Sequence, residues 1–339
     1  MHDQNLFYND PRLQYTRDMS RDAPNNVPRK IFLTGASGLI GKSLTTILRD
    51  SGYQIVPLVR QGDPPPGAVS WDPLSEQMDP SLLAGSDAII HLSGENLAKG
   101  RWTKARKKRF WDSRVRSTEL LAKTIAQLRP LPRLFMCASA TGFYGDRGNE
   151  ELTEDSPPGS GFVADLCRHW EQACAPAADA GVRVVNLRFG VVLSARGGAL
   201  AQMLPIFKLG LGGPLGSGRQ YMSWITLDDA LSAMIHLLDH STVAGPVNVV
   251  VPQVVTFREF TRTLGRVLHR PAFFKVPALA ARLLIGQMAD EVLLASTRVL
   301  PKRLSEDGFD FAQPTLDLAL RHVLAEGDER QDSKTPRET

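Results

Sequence analysis

Three glycines stand three residues apart directly after a short apolar run. Residues 31–33 are Ile, Phe and Leu, as expected of a strand buried on both faces of a parallel sheet. Gly35, Gly38 and Gly41 follow, and apolar residues then recur at helical spacing up to position 48. Residues 53–59 have the pattern of a second strand. The segment therefore predicts a βαβ unit with glycines at its first turn.

This glycine loop indicates nucleotide binding. A turn without Cβ atoms lets the backbone approach a pyrophosphate, and the start of the next helix offers amide groups and a positive dipole end. The spacing is one residue longer between the first two glycines than in the commonest dinucleotide fingerprint, so a tight strand-to-helix turn is the alternative. Because the glycines lie between a strand and an amphipathic helix, we predict a nucleotide site. Its residues are Gly35, Ala36, Ser37, Gly38, Leu39 and Ile40.

The end of the second strand predicts which dinucleotide binds. An acidic residue there would bind the ribose 2′-hydroxyl of NAD, whereas an arginine accommodates the 2′-phosphate of NADP. The chain has Arg60 at this point, and the nearest acid, Asp63, precedes three prolines and is misplaced for a ribose contact. Ser37 offers a further hydroxyl to the phosphate. We predict NADP(H), the alternative being that Arg60 is a solvated surface residue.

The composition of this 339-residue chain is that of a cytoplasmic enzyme or binding protein. No apolar run is long enough to span a membrane, and the polar first 28 residues do not resemble a signal peptide. The three cysteines have neither disulfide nor zinc spacing, so we expect reduced thiols in the core and no metal site.

Positive charge is concentrated in residues 99–116. This segment has a net charge of +8, which leaves −4 for the rest of the chain. Nucleic-acid binding is one interpretation. A helix with one solvated basic face is favoured, because aromatic residues for stacking are few and the segment lies within a βαβ pattern. Cofactor or substrate phosphates are the natural partners of any inward-facing members.

The remaining pattern predicts an α/β protein with a Rossmann-like, doubly wound parallel sheet and a small, mainly helical C-terminal domain on the substrate side. Strands are expected over 86–92, 132–139, 182–187 and 246–251, and helices over 106–128, 162–180, 227–238, 257–268 and 278–294. The predicted domains are a disordered extension (1–28), an NADP-binding domain (29–250) with a ligand-covering loop (195–225), the small domain (251–325) and a disordered tail (326–339).

Several motifs resemble those of an atypical, extended short-chain dehydrogenase/reductase. They are residues 34–41, the strand 87–92, the segment 139–145 and the segment 224–230. A more specific resemblance is to the YfcH-like epimerase family, an NAD-dependent epimerase/dehydratase group of poorly defined function. It rests on Gly94-Glu95-Asn96, Asp112-Ser113-Arg114, the glycine-rich 210–218, and Pro301-Lys302-Arg303-Leu304 followed by Gly308-Phe309. It covers roughly residues 29–325.

The resemblance implies further cofactor contacts. Asp72 would border the adenine, and Leu92, Ser93 and Gly94 would pass beside the nicotinamide-side ribose. Val192 would lie close to the nicotinamide, at the end of the segment 188–192. Arg114 aligns with an asparagine on the helix behind the active site of related epimerases. The alternatives are that Leu92 and Val192 are core residues and that Arg114 pairs with an acid.

The chain departs from the superfamily at its proton-transfer residues. Related enzymes use Tyr-x-x-x-Lys, in which the lysine lowers the tyrosine pKa so that a proton is exchanged while hydride moves. Here Phe162 occupies the tyrosine position and Leu166 the lysine position. The catalytic candidates that remain are Ser139, Tyr144 and Glu95, with packing the favoured role of Tyr144.

Other ionisable groups near the expected cleft are assigned lesser roles. His169 and Glu171 are expected on a helix surface or at a cap. Arg188, Arg196 and Arg219 are candidates for a second diphosphate site, although they form no clear cluster.

Two functions compete. The first is an NADP-dependent oxidoreductase or epimerase-like enzyme with a non-standard proton donor and a small-molecule substrate, either a carbonyl compound or a sugar nucleotide. The second is a catalytically weak NADP(H)-sensing protein that regulates a partner, and a nucleic-acid binder ranks third. Neither a membrane nor a nucleic acid is expected as partner. Oligomeric state is left open, with a homodimer among the alternatives, because dimer helices resemble any core helix.

Overall fold

The computed structural model describes residues 29–332 except 61, 63 and 99, and side chains as far as residue 326. Its centre is a seven-stranded sheet in which every neighbouring pair is parallel. In spatial order the strands are β3 (Val69–Trp71), β2 (Gln54–Arg60), β1 (Lys30–Thr34), β4 (Ala88–His91), β5 (Leu134–Ala140), β7 (Arg183–Phe189) and β11 (Gly245–Val249). The predicted parallel α/β sheet is confirmed.

The order of the sheet reverses at β1, which lies between β2 and β4. The chain first adds strands on one side of β1 and then crosses to the other, so the connections leave the carboxyl ends of β1 and β4 in opposite directions. Such a switch point opens a crevice at the carboxyl edge of the sheet, where ligands of doubly wound proteins bind. Thr34 and His91 are partners in register at this point.

Helices cover both faces of the sheet because its strand residues are apolar on both sides. Leu33 and Ile90 pack with Leu44 and Leu231 on one face, whereas Phe32 packs on the other. The main helices are α1 (Leu39–Asp50), α2 (Lys104–Trp111), α3 (Ser117–Ile125), α4 (Phe162–Gln172), α5 (Ala175–Asp179), α6 (Gly198–Lys208) and α7 (Leu227–Asp239).

The C-terminal part is mainly helical and is attached to the main domain by short strand pairs. Its helices are α8 (Phe257–Val267), α9 (Ala278–Ile285), α10 (Lys302–Glu306) and α11 (Leu316–Asp332). The joining pairs are β9 (Tyr221–Met222) with β12 (Val255–Thr256) and β6 (Glu151–Leu152) with β13 (Arg298–Val299). A further pair, β8 (Val191–Leu193) with β10 (Trp224–Thr226), lies within the main domain.

Three predicted helices are interrupted. The helix expected over 106–128 runs from Lys104 to Ile125 and contains a π-helical turn at Asp112–Arg116. The one expected over 162–180 is two helices, because Pro176 lacks the amide proton needed to continue the first. The one expected over 278–294 ends at Gly286, which has a φ of +64°, and a π-helical turn, Ala289–Leu293, follows. Glycine tolerates that left-handed conformation without strain.

The chain ends also differ from the predicted boundaries. The last helix continues to Asp332, past the expected start of the tail at residue 326. Residues 1–28 and 333–339 lie outside the described residues. Cys137, Cys167 and Cys174 are free and buried, which confirms the predicted core thiols. Among the helices of residues 29–332, none is both long and apolar enough to cross a bilayer.

Candidate functional site

A cleft of about 420 Å³ opens at the carboxyl edge of the sheet, beside the switch point. The glycine loop and the first turn of α1 form one wall. The ends of β4, β5 and β7 and the following strand β8 form the other. The lining residues are Gly35, Gly38, Leu39, Ile40, Gly41, Leu92, Ala138, Phe189, Val191, Val192, Gly198 and Ala199. The predicted contacts Leu92 and Val192 thus face the cleft.

The glycines of the loop have different physical roles. Gly35 has a φ of +70°, and a Cβ there would lie 2.8 Å from the carbonyl of Leu92. A Cβ on Gly41 would lie 2.2 Å from the oxygen of Gly35, so this residue is required for the loop to pack on the helix. A Cβ on exposed Gly38 would meet only the Gly35 oxygen, at 3.3 Å. The fold therefore requires Gly35 and Gly41, whereas the lack of a side chain at Gly38 leaves space for a ligand.

The start of α1 is suited to an anion. Gly38 is its N-cap residue and supplies no side-chain acceptor to the first-turn amides. Those amides and the positive end of the helix dipole remain available to a phosphate. Ser37 is exposed beside them, and Ala36 is half-buried. The loop fits a pyrophosphate, as predicted from its sequence.

Thr34 and His91 hold the two strand ends together below the cleft. The Thr34 hydroxyl lies 2.7 Å from Nδ1 of His91 and accepts hydrogen bonds from the amides of Leu92 and Ser93. It therefore donates its own proton to Nδ1, and Nε2 of the ring faces the Ser117 hydroxyl at 3.3 Å. Complete burial lowers the pKa of His91 to about 3, so the ring is neutral. Sequence inspection assigned neither side chain a role.

Arg60 lies at the position expected for selecting NADP. It ends β2, opposite Trp71 in register, and its side chain is exposed. It makes no ion pair with any residue of the described chain. Asp72 follows Trp71, and its carboxylate accepts the amide proton of Leu74 at 2.9 Å. Asp63, the acid set aside in the sequence, lies outside the described residues.

Arg114 supports the loop after β4 from behind. Its Nη1 donates to the carbonyl of Glu95 at 3.0 Å, and its guanidinium lies 5.0 Å from the ring of Trp170. A Cβ on Gly94 would lie 3.0 Å from the same guanidinium. Burial lowers the pKa of Arg114 to about 10. This arginine positions residues 92–95 and forms no ion pair within the described part of the chain.

Ser139 belongs to a buried ionic network near the carboxyl end of β5. Its hydroxyl donates to Oε1 of Glu171 at 2.7 Å, and Arg188 binds the same carboxylate through two nitrogens, at 2.8 and 2.7 Å. The side chains of Arg188 and Glu171 are only 4% and 11% exposed. Glu171 is therefore not the helix-surface residue that the sequence suggested, and Arg188 is not available to a second diphosphate. Only the strand register, which pairs Ser139 with Arg188, brings these residues together.

Tyr144 is a buried member of this network. It is 0% exposed, donates to the Asn248 side chain at 2.7 Å and accepts from Arg188 at 2.9 Å. Burial raises its pKa to about 12. Its hydroxyl does not reach the cleft, so the structure contradicts its candidacy as a proton donor and agrees with the packing role.

Glu95 differs from the other two catalytic candidates in being accessible. It follows the end of β4, its carboxylate is 3.9 Å from Nε of Arg109, and its side chain is 30% exposed. Its backbone is held by the Ser113 hydroxyl and by Arg114. The loop is therefore fixed while the carboxyl group remains open to solvent.

Phe162 and Leu166 occupy the positions of the missing proton-transfer pair. Phe162 begins α4 and contacts the Trp102 ring at 5.6 Å in an edge-on arrangement. Leu166 is 1% exposed in the core. Phe162 packs in the cluster that also contains Ala140, the last residue of β5. An apolar, aromatic surface thus replaces the tyrosine and lysine.

Of the other arginine candidates, Arg196 forms an ion pair near an acidic cluster. Arg196 lies 3.5 Å from Glu326, while Arg219 is exposed. His322 contacts both Asp228, at 2.6 Å, and Glu326, at 3.3 Å. These three could hold a metal ion by type and distance. Hydrogen bonds that the His322 ring donates to the two carboxylates raise the pKa of His322 to about 10, which favours an ion-pair cluster with a protonated ring.

Comparison with protein-family models gives two matches that follow one another along the chain. Residues 31–251 match the NAD dependent epimerase/dehydratase family, and residues 276–323 match a domain of unknown function, DUF1731. The first match contains the glycine loop and every strand of the central sheet.

Curated relatives are similar over most of their length. An epimerase family protein of Mycobacterium bovis is 41% identical over 293 residues, which are 86% of this chain and 97% of the relative. The human epimerase family protein SDR39U1 is 35% identical over 299 residues, 87% of this chain and 100% of the relative.

Two solved structures are similar to this chain in both fold and sequence. The crystal structure of human SDR39U1 (isoform 2) with NADPH superposes with a TM-score of 0.80 at 33% identity, and the match covers 87% of this chain and 99% of that one. A nucleoside-diphosphate sugar epimerase from Corynebacterium glutamicum has a TM-score of 0.76 at 32% identity, over 96% of this chain and 67% of that one.

Proposed function

The chain belongs to the NAD dependent epimerase/dehydratase family, and we propose that it is an NADP(H)-dependent oxidoreductase or epimerase-like enzyme of the atypical short-chain dehydrogenase/reductase type. The observation that carries this proposal is the cleft of about 420 Å³ between the glycine loop and the strand ends. The substrate class is a carbonyl compound or a sugar nucleotide.

The residues of the cleft fit NADP(H). The backbone of Gly35 to Ile40 would hold the pyrophosphate, and the exposed guanidinium of Arg60 the 2′-phosphate. Asp72 would border the adenine, Ser93 and Gly94 the second ribose, and Val192 the nicotinamide. NADPH in the crystal structure of the human relative supports the same cofactor here.

The bound cofactor would supply or accept a hydride, and the chain must supply the proton. Phe162 and Leu166 carry no ionisable group, and Tyr144 is enclosed by Arg188 and Asn248. We assign the proton to the Glu95 carboxyl, since it is an accessible acid on a loop that borders the cleft. The Ser139 hydroxyl is held by Glu171 and is assigned a positioning role.

The second function, a catalytically weak NADP(H)-sensing protein, stays an alternative proposal that rests on the missing proton-transfer pair. The superfamily's proton-transfer pair is replaced by Phe162 and Leu166, and the neighbouring Tyr144 and Ser139 have their hydroxyls engaged. A protein of this kind that binds NADP(H) without turnover would act as a sensor of the cofactor and regulate a partner.

One experiment separates the two functions. The protein would be incubated with NADPH and a panel of aldehydes, ketones and sugar nucleotides, while cofactor oxidation is followed by absorbance and epimerisation by NMR. Turnover of any substrate that is lost in Glu95→Gln and retained in Glu119→Gln, an exposed glutamate paired with Lys123, supports the enzyme. Tight NADPH binding without turnover, with altered protease sensitivity of residues 197–218, supports the sensor instead.

A further inference from the structure

The basic segment at residues 101–116 divides into a paired and an unpaired half. Lys108 and Arg116 form ion pairs with Asp112, and Arg109 pairs with Glu95. Four cations nearer the start of the segment form no ion pair with any described residue: Arg101, Lys104, Arg106 and Lys107. An excess of positive charge therefore remains at one end of α2.

Of these four cations, Lys107 lies beside the Phe162 ring, which occupies the position of the superfamily's tyrosine, and Arg101 lies against Gly286. The ammonium of Lys107 is 4.8 Å from the centre of the Phe162 ring and donates to the amide oxygen of Gln287. Arg101 approaches Gly286, where a Cβ would be 3.6 Å from its Nη2. Trp102, between them in sequence, contacts Phe162. Cations and aromatic rings thus form one surface against the segment that follows α9.

The groups facing this surface leave its charge uncompensated. Gln287 is neutral. Glu291, one turn further along, has its carboxylate engaged by the backbone amide of Val163 at 2.7 Å and by Gln287. Glu291 thereby provides the side-chain acceptor that Gly161 cannot offer to α4. One engaged carboxylate does not balance several cations, so an added anion would be favoured here.

We infer that the substrate carries an oxyanion, a carboxylate or a phosphate, and that Lys107 and Arg101 bind it beside the Phe162 ring. This inference rests on the proposed function, because it places the substrate at the position of the superfamily's tyrosine. Lys107 binds and orients the anion, and Gln287 is the neutral acceptor that the anion replaces. The Phe162 face stabilises the ammonium by a cation–π contact.

The test is calorimetric titration with inorganic phosphate and, separately, with acetate. It is carried out on NADPH-saturated protein and also on cofactor-free Arg60→Ala, so that the expected 2′-phosphate site is filled in one case and disabled in the other. The compared variants are Lys107→Gln, Arg101→Gln and Lys107→Arg. Lys108→Gln is the matched control, because it removes the same charge from the neighbouring residue. Lys108 is already paired with Asp112 and is not expected to bind the anion.

Loss of a charged contact predicts about tenfold weaker anion binding in Lys107→Gln and Arg101→Gln, with Lys107→Arg close to the parent. Lys108→Gln should stay within about twofold, since its effect would be only long-range. The tighter of the two probes identifies the kind of oxyanion. Unchanged melting temperatures would establish that the variants fold.

Two results would overturn the inference. One is the absence of anion binding in both parent backgrounds. The other is an equal loss in Lys107→Gln and Lys108→Gln, which would mean diffuse charge and no site. Failure of NADPH to bind would contradict the proposed function and leave the Arg60→Ala titration to decide the anion subsite alone.

Discussion

The hydroxyl of Thr34 lies 2.7 Å from Nδ1 of His91 and joins the carboxyl ends of the two strands between which the sheet order reverses. The same oxygen accepts the amide protons of Leu92 and Ser93. Those residues begin the loop that borders the cleft, so a buried neutral histidine and a threonine together set the shape of one cleft wall. Further along the loop, the Ser113 hydroxyl and Arg114 hold the backbone of Glu95.

The His91 ring should make stability depend on pH. Its pKa is about 3 in the fold and 6.5 when unfolded, so the unfolded chain binds a proton that the native state excludes. The contribution of the neutral ring to the free energy of unfolding is complete above pH 6.5 and is lost as the pH falls towards 3. We expect the parent to lose about 2 kcal/mol more than His91→Asn between pH 6.5 and 4.5 in urea unfolding. If the free energy of unfolding changed equally with pH in the two proteins, His91 would not be a buried neutral ring.

Arg60 should determine cofactor preference. Its guanidinium has no ion partner among the described residues and would form a charge-assisted contact with the 2′-phosphate, worth about 1.5–3 kcal/mol or one to two powers of ten in affinity. NADPH should therefore bind more tightly than NADH, and Arg60→Ala should remove most of the difference. Fluorescence titration measures both affinities. Arg49→Ala, at an exposed position on α1, is the control and should change neither; equal parent affinities would refute the prediction.

Gly38→Val should abolish cofactor binding and leave the fold intact. The added Cβ meets only the Gly35 oxygen, at 3.3 Å, but the branched side chain occupies the space of the pyrophosphate. Gly41→Ala should instead destabilise the protein, because its Cβ would lie 2.2 Å from that oxygen. NADPH titration and thermal melting distinguish the two effects. Normal NADPH binding by Gly38→Val would place the nucleotide elsewhere.

Glu95→Gln should lower turnover of any substrate that is found, by about 10²–10⁴-fold, as expected for loss of a general acid. Phe162→Leu should retain more activity than Ser139→Ala, because Phe162 has no proton to give. Tyr144→Phe should mainly cost stability, about 1–3 kcal/mol, since Oδ1 of Asn248 and Nη1 of Arg188 each lose a buried hydrogen-bond partner. Rates measured at several pH values check these expectations, and a Glu95→Gln rate within a few-fold of the parent would exclude Glu95 as the proton donor.

His322 should stabilise the protein below its raised pKa. That pKa is about 10 in the fold and 6.5 when unfolded, so the contribution is complete below pH 6.5 and is lost as the pH rises through 10. The melting temperature of the parent should fall more than that of His322→Gln between pH 7 and 10. His240→Gln, at an exposed residue of the same type, should follow the parent. A parent curve parallel to that of His322→Gln would show that the ion pairs are not formed in solution.

The sequence was sufficient to predict the fold class, the family, the cofactor and the glycine turn between β1 and α1. The period of the apolar residues, the positive φ of Gly35 and the missing amide proton of proline act over a few neighbouring residues, so their consequences can be seen in the chain itself. The absence of the tyrosine and lysine pair, at Phe162 and Leu166, was evident in the same way. The interruptions of the long helices were missed, although Pro176 and Gly286 are signals for two of them.

Only the tertiary structure decided which polar groups are available for chemistry. Tyr144 meets Asn248 across 104 positions, and Lys107 meets Gln287 across 180, so no local pattern predicts either contact. Strand register places Ser139 beside Arg188 and turns Glu171 from an expected surface residue into a buried counter-ion. A side chain's chemistry depends on its burial and on its partners, and both are set by packing between segments far apart in the chain.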